Sequence, residues 1–450
     1  MIKQILSIIE ADAKGTTWNI LKLKAMLQEL NIQDICEILD ELDRERIVQV
    51  FRVLPKAMAA EVFANIDSDQ QQIIIEALSD TEIGYIMNRL FVDDAVDFIE
   101  EMPASVVKRV LLNIPPEKRN LINQILQYPE DSAGSIMTTE YVDLFEDTTV
   151  RKAFDYIRET GITRETIYNC YVIRRDRLLV GVVSAKTLML SKPRELIGEI
   201  MDNNPIFAYT TDDQEAIADK FRKYGLLAMP VVDKEQRLVG IITVDDIMEV
   251  IVEESTEDME KMVALSPSDD PYLKTGVFRL AKNRIIWLMI LMLSATISAG
   301  IIATFEESLA VLPILVAFIP MLMDSAGNAG CQSSTLIIRG MAVGEIRLRD
   351  FLRVLWREIR VGSICGLVLG LVNLVRVYLM HGHNFMLALT VTLSLFITIL
   401  MAKSLGGFLP IFAKRIKLDP ALMAAPLITT ICDASSLIIY FSIAKVILSL

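Results

Sequence analysis

The sequence predicts a multidomain membrane protein: an all-α N-terminal helical solenoid, an α/β pair of tandem repeats, an acidic connecting helix and a five-helix transmembrane domain. Three observations predict it. Charge divides sharply: residues 1–274 hold 30 Lys and Arg against 50 Asp and Glu (net −20), and residues 275–450 hold 15 against 8 (net +7), within a whole-chain charge of −13. Five apolar segments fill the second part, each near or above the ~20 residues a span requires. The first part contains two internal repeats, one helical and one mixed. The implied boundaries are 1–130 for the solenoid, 131–195 and 196–253 for the two α/β repeats, 244–274 for the connecting helix and 275–450 for the membrane domain.

Residues 1–130 carry apolar side chains at three- and four-residue spacing, the period of helices with one buried face. FRVLPKAMAAEVFANIDSDQQQIIIEAL and IEEMPASVVKRVLLNIPPEKRNLINQIL align at an offset of 48, with Pro55 over Pro103 and Asn65-Ile66 over Asn113-Ile114. Pro suits a first helical turn, so stacked helix pairs are expected. The start, MIKQILSIIEADAKG, lacks the apolar core and cleavage site of a signal peptide, so mature and full-length chains are expected to coincide.

Residues 131–253 switch to short apolar strands, each set followed by a helix. LLVGVVSAKTLML and RLVGIITVDDIMEV repeat at an offset of 59, placing Gly181 over Gly240. This resembles a tandem pair of cystathionine-β-synthase (CBS) domains, a fold that senses small ligands. The resemblance implies that Thr243 and Asp246, with Ser184 as the first-repeat counterpart, contact an adenine nucleotide such as ATP. Thr187 stands where an acidic residue is common in that family.

From Val244 to Met262 runs a helix-length stretch without Pro or Gly that holds eight acids against Lys261. Like charges at i,i+4 cost a few tenths of a kcal/mol per pair, so this helix needs cations or a basic partner beside it.

The five apolar segments lie roughly at 285–305, 309–330, 361–379, 384–402 and 420–448. Arg339, Arg347, Arg349, Arg353, Arg357 and Arg360 between spans two and three, and Lys414, Arg415 and Lys417 before span five, place those loops in the cytosol by the positive-inside rule. The acidic body and N-terminus then lie in the cytosol, the C-terminus lies outside, and the protein belongs in the cytoplasmic membrane. The loop with His381 and His383 falls outside.

Span five, PLITTICDASSLIIYF, carries Asp433 in its middle. An ionised Asp at bilayer depth costs roughly 2.5–3.5 kcal/mol on insertion scales, so it faces a polar path, a cation or a partner helix. Mg²⁺ holds its waters and is bound through one or two carboxylates; Asp433 from two copies of the chain would supply two. Thr429, Thr430, Ala434 and Ser435 nearby are small or hydroxyl-bearing. Successive helical residues point about 100° apart, which turns Cys432 away from the Asp433 direction. In span two, Gly327-Asn328-Ala329-Gly330 permits either close helix packing or a local break.

GNAG with Gln332, and DPALMAAPLITTICD in span five, together with the order of domains, closely resemble the MgtE-type magnesium channel/transporter family over nearly the whole chain. The resemblance implies a homodimer with its pore on the two-fold axis and cytosolic Mg²⁺ sites that close the pore when the ion is plentiful. It places Gly327, Asn328, Gly330, Gln332, Thr429 and Thr430 beside the pore and Asp433 on the ion. It implies regulatory ligands at Glu61, Asp93, Asp97, Asp213, Glu215, Asp246, Glu249, Glu254, Glu257 and Asp258. Gly225 departs from it, standing where some relatives carry an acidic ligand. Asp324 either attracts cations or pairs with an Arg.

The acidic body argues against nucleic acid as a partner, since phosphates attract Lys and Arg. There is no G-x-x-x-x-G-K phosphate loop and no nucleophile-and-base set, so an enzyme is not expected. The five cysteines, Cys36, Cys170, Cys331, Cys365 and Cys432, form no C-x-x-C pair and give no metal or disulfide framework. Transport of Mn²⁺, Co²⁺ or Ni²⁺, and a non-conducting membrane sensor of nucleotide or metal, remain the alternatives.

Overall fold

The described helices of the N-terminal part are short, about three turns, and several are bounded by a capping side chain or a proline. The computed structural model describes residues 5, 9, 20–267, 272, 275–381, 384–423 and 425–449; His383 lies outside them. It divides into two units, residues 1–251 and 252–450.

In the first unit, α1 (Ile20–Gln28), α2 (Ile32–Asp40), α3 (Arg44–Val53), α4 (Lys56–Ala64), α5 (Ser68–Ala77), α6 (Asp80–Arg89), α7 (Val92–Glu101), α8 (Ala104–Asn113) and α9 (Pro116–Ile125) follow one another. Each packs on the helix two places along the chain, the arrangement of a solenoid. Pro55 and Pro103, aligned in the repeat, stand at matching N-caps of α4 and α8. Asp43, Asp67 and Ser79 cap α3, α5 and α6 through side-chain oxygens, worth about 1 kcal/mol each. Between turns, Arg109 binds Asp80 at 2.8 Å and the carbonyls of Ile75 and Leu78. Phe51, Phe63 and Phe98 stack edge to face through the centre.

The two α/β repeats each form a three-stranded sheet in which a parallel pair is followed by an antiparallel one: β1 (Asp143–Phe145), β2 (Asn169–Ile173) and β3 (Leu179–Ser184); then β4 (Ala208–Tyr209), β5 (Ala228–Val232) and β6 (Leu238–Thr243). Helices α10 (Val150–Thr160), α11 (Ala185–Leu190), α12 (Ile197–Ile200) and α13 (Gln214–Tyr224) complete them. The paired glycines have the same steric cause. A Cβ on Gly181 would sit 2.7 Å from the sulfur of Met201, and one on Gly240 would sit 2.7 Å from that of Met137. Here a segment from the other repeat crosses each strand, bridging Val182 to Asp202 and Ile241 to Thr138. The solenoid core runs on into the second repeat through Ile217, Phe221, Met229, Ile242 and Ile247, while the first repeat keeps a core of its own. α14 (Val244–Met262) is the acidic helix, continuous over its length.

Among the described residues, the second unit has five helical segments long and apolar enough to cross a membrane: Val277–Thr304, Pro313–Ala342, Leu348–Met380, Phe385–Arg415 and Pro420–Leu448. Their helices are α15 (Val277–Thr304), α17 (Ile319–Ala342), α18 (Phe351–Met380), α19 (Phe385–Arg415) and α20 (Ala425–Leu448), with the short α16 (Glu306–Val311) between the first two. The third begins well before the expected residue 361. The stretch holding Arg353, Arg357 and Arg360 is helical and extends α18 to 30 residues, about 45 Å at 1.5 Å per residue. The apolar window ended where the charges began; the hydrogen-bond ladder did not. Gly362, Gly366 and Gly370 line α18 at four-residue spacing against Leu400, Phe396 and Thr392 of α19, a small-residue seam that brings two backbones together.

Candidate functional site

In the first unit, acids from four stretches of sequence converge. α7 begins with Val92-Asp93-Asp94 and places Asp97 one turn on; the loop after the solenoid supplies Glu140; the loop after α10 supplies Glu165; α14 supplies Asp246 and Glu249. Asp93 is 8% exposed and, with Lys403, is one of two charged residues buried among the described residues. Burial, then the charges of Asp94, Asp246, Glu165 and Glu140, hold its carboxyl well above the usual range. Burial pushes Asp94 up to about 6. Asp97, although part of it reaches solvent, is pushed up to about 8 by burial and then by Asp94 and Asp246. Glu165 is pushed up to about 7 by burial and the same neighbours. Asp246 is raised by burial but opposed by two hydrogen bonds, from the Thr243 hydroxyl at 2.5 Å and the Thr243 amide at 3.2 Å.

One cation enters this cluster. The ammonium of Lys118 donates to the carbonyl of Leu90; burial lowers its proton affinity, and Glu140, Asp94 and Asp93 partly restore it. Two buried carboxylate oxygens, Asp93 Oδ1 and Glu165 Oε2, have no hydrogen-bond partner. A buried carboxylate oxygen without a donor is costly, and a hydrated divalent cation supplies both charge and donors. Among the described residues no three His, Cys, Asp or Glu groups converge closely enough to ligate one bare ion. An ion that keeps several waters and touches one or two carboxylates fits this spacing better than a transition metal does.

Other expected ligands fall elsewhere. Glu61 lies exposed on α4, its backbone carbonyl accepting from Asn65. Asp213 caps α13 by accepting the Glu215 amide at 3.0 Å, and both residues are exposed. Gly225 ends α13 at φ 63° with open space around it, so the left-handed cap explains a glycine at that position. In the second unit, Glu257 is paired with Lys261 at 2.8 Å, and Lys261 also reaches Asp419 at 2.9 Å. Asp258 is raised by burial and then by Asp419, with Lys261 opposing. Glu254, one turn earlier, is half-buried. Asp419 opens the DPALMAAP stretch and is the residue there that sequence reasoning passed over.

In the membrane unit α17 is an unbroken helix, so GNAG serves close packing. A Cβ on Gly327 would lie 3.1 Å from Thr429, and one on Gly330 would lie 2.6 Å from Ile428 and 3.0 Å from the Cys432 sulfur. Cys432 is fully buried against α17, as its helical phase predicts. Asp433, one position on, is half-buried, feels the charge of Asp324, and its carboxylate takes no hydrogen bond among the described residues. Asp324 accepts from Asn328 at 3.0 Å; these two and Gln332 form the exposed face of α17. Asp324 has no Arg partner among the described ion pairs. Thr429 and Thr430 both donate to the carbonyl of Pro426, which leaves their lone pairs to accept. Behind α17, the buried Lys403 ammonium reaches the Ala329 carbonyl, Gln332 and Ser333 at 3.3–3.4 Å, and Ser333 donates to Glu358 at 2.6 Å. No spacing in the sequence announced this network.

The two nucleotide-type positions differ. Ser184 caps α11 and bonds Thr187. Thr243 and Asp246, the counterpart pair, lie inside the acid cluster, where phosphate would be repelled.

Comparison with known proteins agrees with this arrangement. Residues 319–443 match a family described as divalent cation transporter (MgtE), residues 30–131 the MgtE intracellular N domain, and residues 133–192 and 197–253 the CBS domain. The chain is 36% identical to a magnesium transporter MgtE of Thermus thermophilus over 99% of both chains. It is 31% identical to one of Bacillus subtilis, over 94% of this chain and 96% of that one. A crystal structure of the cytosolic domain of the Mg²⁺ channel MgtE in complex with ATP matches 55% of this chain and 99% of its own, at 34% identity and a TM-score of 0.51.

Proposed function

This chain belongs to the MgtE family of divalent cation transporters, and we propose that it carries Mg²⁺ into the cell along a path at Asp433 that closes when cytosolic Mg²⁺ fills the acid cluster. The observation that carries the feedback reading is the convergence of Asp93, Asp94, Asp97, Glu140, Glu165, Asp246 and Glu249 around buried carboxylate oxygens without donors. Membership of the family carries the choice of ion.

The physics is repulsion with a removable cause. Two carboxylates about 6 Å apart at an effective dielectric of about 20 repel by roughly 3 kcal/mol. With several such pairs, the packing of α7 against Asp246 and Glu249 is strained when divalent ions are scarce. Bound ions reverse the sign. A swing from 1:99 to 99:1 needs about 5.5 kcal/mol of differential binding, within reach of a few weak sites. α14 holds Asp246 in its first turn and continues to Glu257 and Asp258, so one element carries occupancy of the cluster toward the membrane domain. There Asp258 and Asp419, two acids in each other's field, form a second place where a cation would bind.

In the membrane, Asp433 would hold a hydrated ion. In a homodimer with its axis along the exposed face of α17, a second Asp433 would complete the pair, with Asp324 at the approach. The N-terminus then lies in the cytosol and the C-terminus outside. Adenine nucleotide is assigned to the Ser184 end of the CBS pair, since acids crowd Asp246.

Replacing Asp93, Asp97 and Asp246 together with Asn tests the feedback in proteoliposomes that hold high Mg²⁺ on the cytosolic side. The expected result is a variant that conducts where the parent is closed. Normal closure in the variant would place the sensor elsewhere.

A further inference from the structure

We propose that an arginine-lined cleft on the first CBS repeat, which borders the acid cluster at Glu140 and lies apart from the Ser184 position, binds a polyphosphate anion. Two adjoining cavities of ≈360 and ≈300 Å³ share Thr139, Tyr141, Arg164 and Arg177, and the second adds Arg174 and Arg175. This concentration of guanidinium groups sits in the half of the chain whose net charge is −20.

The internal repeat provides the comparison that separates architecture from function. At the offset of 59, Arg174, Arg175 and Arg177 stand where the second repeat has Asp233, Lys234 and Gln236. The two hairpin turns have the same geometry, with Arg177 at φ 68° and Gln236 at φ 62°. The turn therefore does not require arginine. In the second repeat Asp233 caps its own turn by accepting the amides of Glu235 and Arg237, both at 2.9 Å. Arg174 forgoes that cap. The first-repeat turn is left three charges more positive, from Asp to Arg and from Gln to Arg.

The guanidinium groups are positioned but not used up. Arg177 donates to the Tyr141 hydroxyl at 2.9 Å and the Leu238 carbonyl at 3.1 Å, which fixes it at the cleft floor. Arg164 Nε is buried and has no hydrogen-bond partner. Arg174 and Arg175 meet Glu146 and Asp147 only at 3.8 and 4.0 Å, in exposed pairs that hold little energy. The carboxylates at the cleft are occupied: Glu140 accepts from Thr138 and Thr139, and Asp143 from Tyr156. Planar guanidinium forks match phosphate oxygens two at a time. Several forks at one cleft select a chain of phosphates over a single carboxylate. The opposite wall is Leu121, Gln124 and Ile125 of α9, so the anion would rest against the solenoid.

The test is binding of inorganic triphosphate and of ATP to the full-length protein in detergent, without divalent ions, by calorimetry. It compares the parent with Arg164→Gln, with Arg174→Gln/Arg175→Gln, and with Lys234→Gln in the second-repeat turn. Arg164→Gln removes no hydrogen bond seen in the structure, so folding should survive; a circular-dichroism melt checks this. The expected result is that triphosphate binds the parent and the Lys234 variant equally and the other two about tenfold more weakly, the effect of one charge-assisted bond. If ATP competes with triphosphate and is weakened by the same variants, the site takes nucleotides through their phosphates. If ATP does not compete, the anion is inorganic. Failure of triphosphate to bind the parent, or equal binding by all variants, overturns the proposal.

Discussion

Replacing Asp93 with Asn isolates the electrostatic cost of the acid cluster, because the shape is kept and only the charge goes. The less buried Asp94 supplies a scale: its rise from 3.8 to about 6 corresponds to about 3 kcal/mol against the ionised form. Asp93 is 8% exposed and has one oxygen without a partner, so its ionised form costs at least as much. Shared repulsion with Asp94 and Asp246 means the terms do not add, and we take about 2–3 kcal/mol as the gain on neutralising Asp93 alone. For a unit of this size 1 kcal/mol moves the midpoint by about 2–4 °C. Asp93→Asn should therefore raise the first thermal transition of the full-length protein in EDTA by about 4–12 °C. The same variant should gain less than the parent from millimolar Mg²⁺. Far-UV circular dichroism with and without Mg²⁺ reads both. An unchanged or lowered midpoint in EDTA would refute the reasoning, since it would mean that Asp93 is satisfied without an ion.

The carboxyl groups of Asp94, Glu165 and Asp97 all titrate higher in the folded protein than in the unfolded chain, at about 6, 7 and 8. Stability from their retained protons is complete below the unfolded value and is lost as pH rises through the folded ones. The metal-free midpoint should fall between about pH 5 and pH 8, and Mg²⁺ should flatten the fall; a rise with pH in EDTA would contradict the sign. Gly330→Ala would press a methyl to 2.6 Å from Ile428 and should cost about 1–3 kcal/mol in a thermal melt; no loss would mean that α17 and α20 are not so close. Lys403→Met would remove the buried ammonium that reaches the Ala329 carbonyl, Gln332 and Ser333 and should destabilise by about 1–3 kcal/mol in a thermal melt; no loss would show that these 3.3–3.4 Å contacts hold little energy.

Local pattern made much of this legible. The offset of Gly181 and Gly240 is visible in the sequence, and its cause, a methionine sulfur and a backbone carbonyl at 2.7–2.8 Å in both repeats, is visible only in the fold. Hydropathy located the five spans, yet it stopped short of the start of α18, because helical hydrogen bonding continues where apolarity ends. For GNAG, packing and breaking are the same string of small residues; the contacts of Gly330 with Ile428 and Cys432 decide for packing. Asp93, Asp97, Asp246 and Glu249 were reachable through the resemblance. Asp94, beside Asp93 on α7, was not; nor were Glu140 and Glu165, which loops bring there once the solenoid core joins the second repeat through Ile217 and Phe221. Lys403 and Glu358 were invisible for a similar reason: they lie on different helices, and Ser333 of a third relates them.

Passage of ions at Asp433 underlies the proposed transport. Purified protein in liposomes loaded with a Mg²⁺ indicator, run beside Asp433→Ala and Asp433→Asn, tests it most directly. Mg²⁺ entry by the parent should be abolished in the alanine variant and strongly reduced in the asparagine variant, with all three proteins folded. Equal entry by the parent and both variants would contradict it and leave Asp433 as a packing residue.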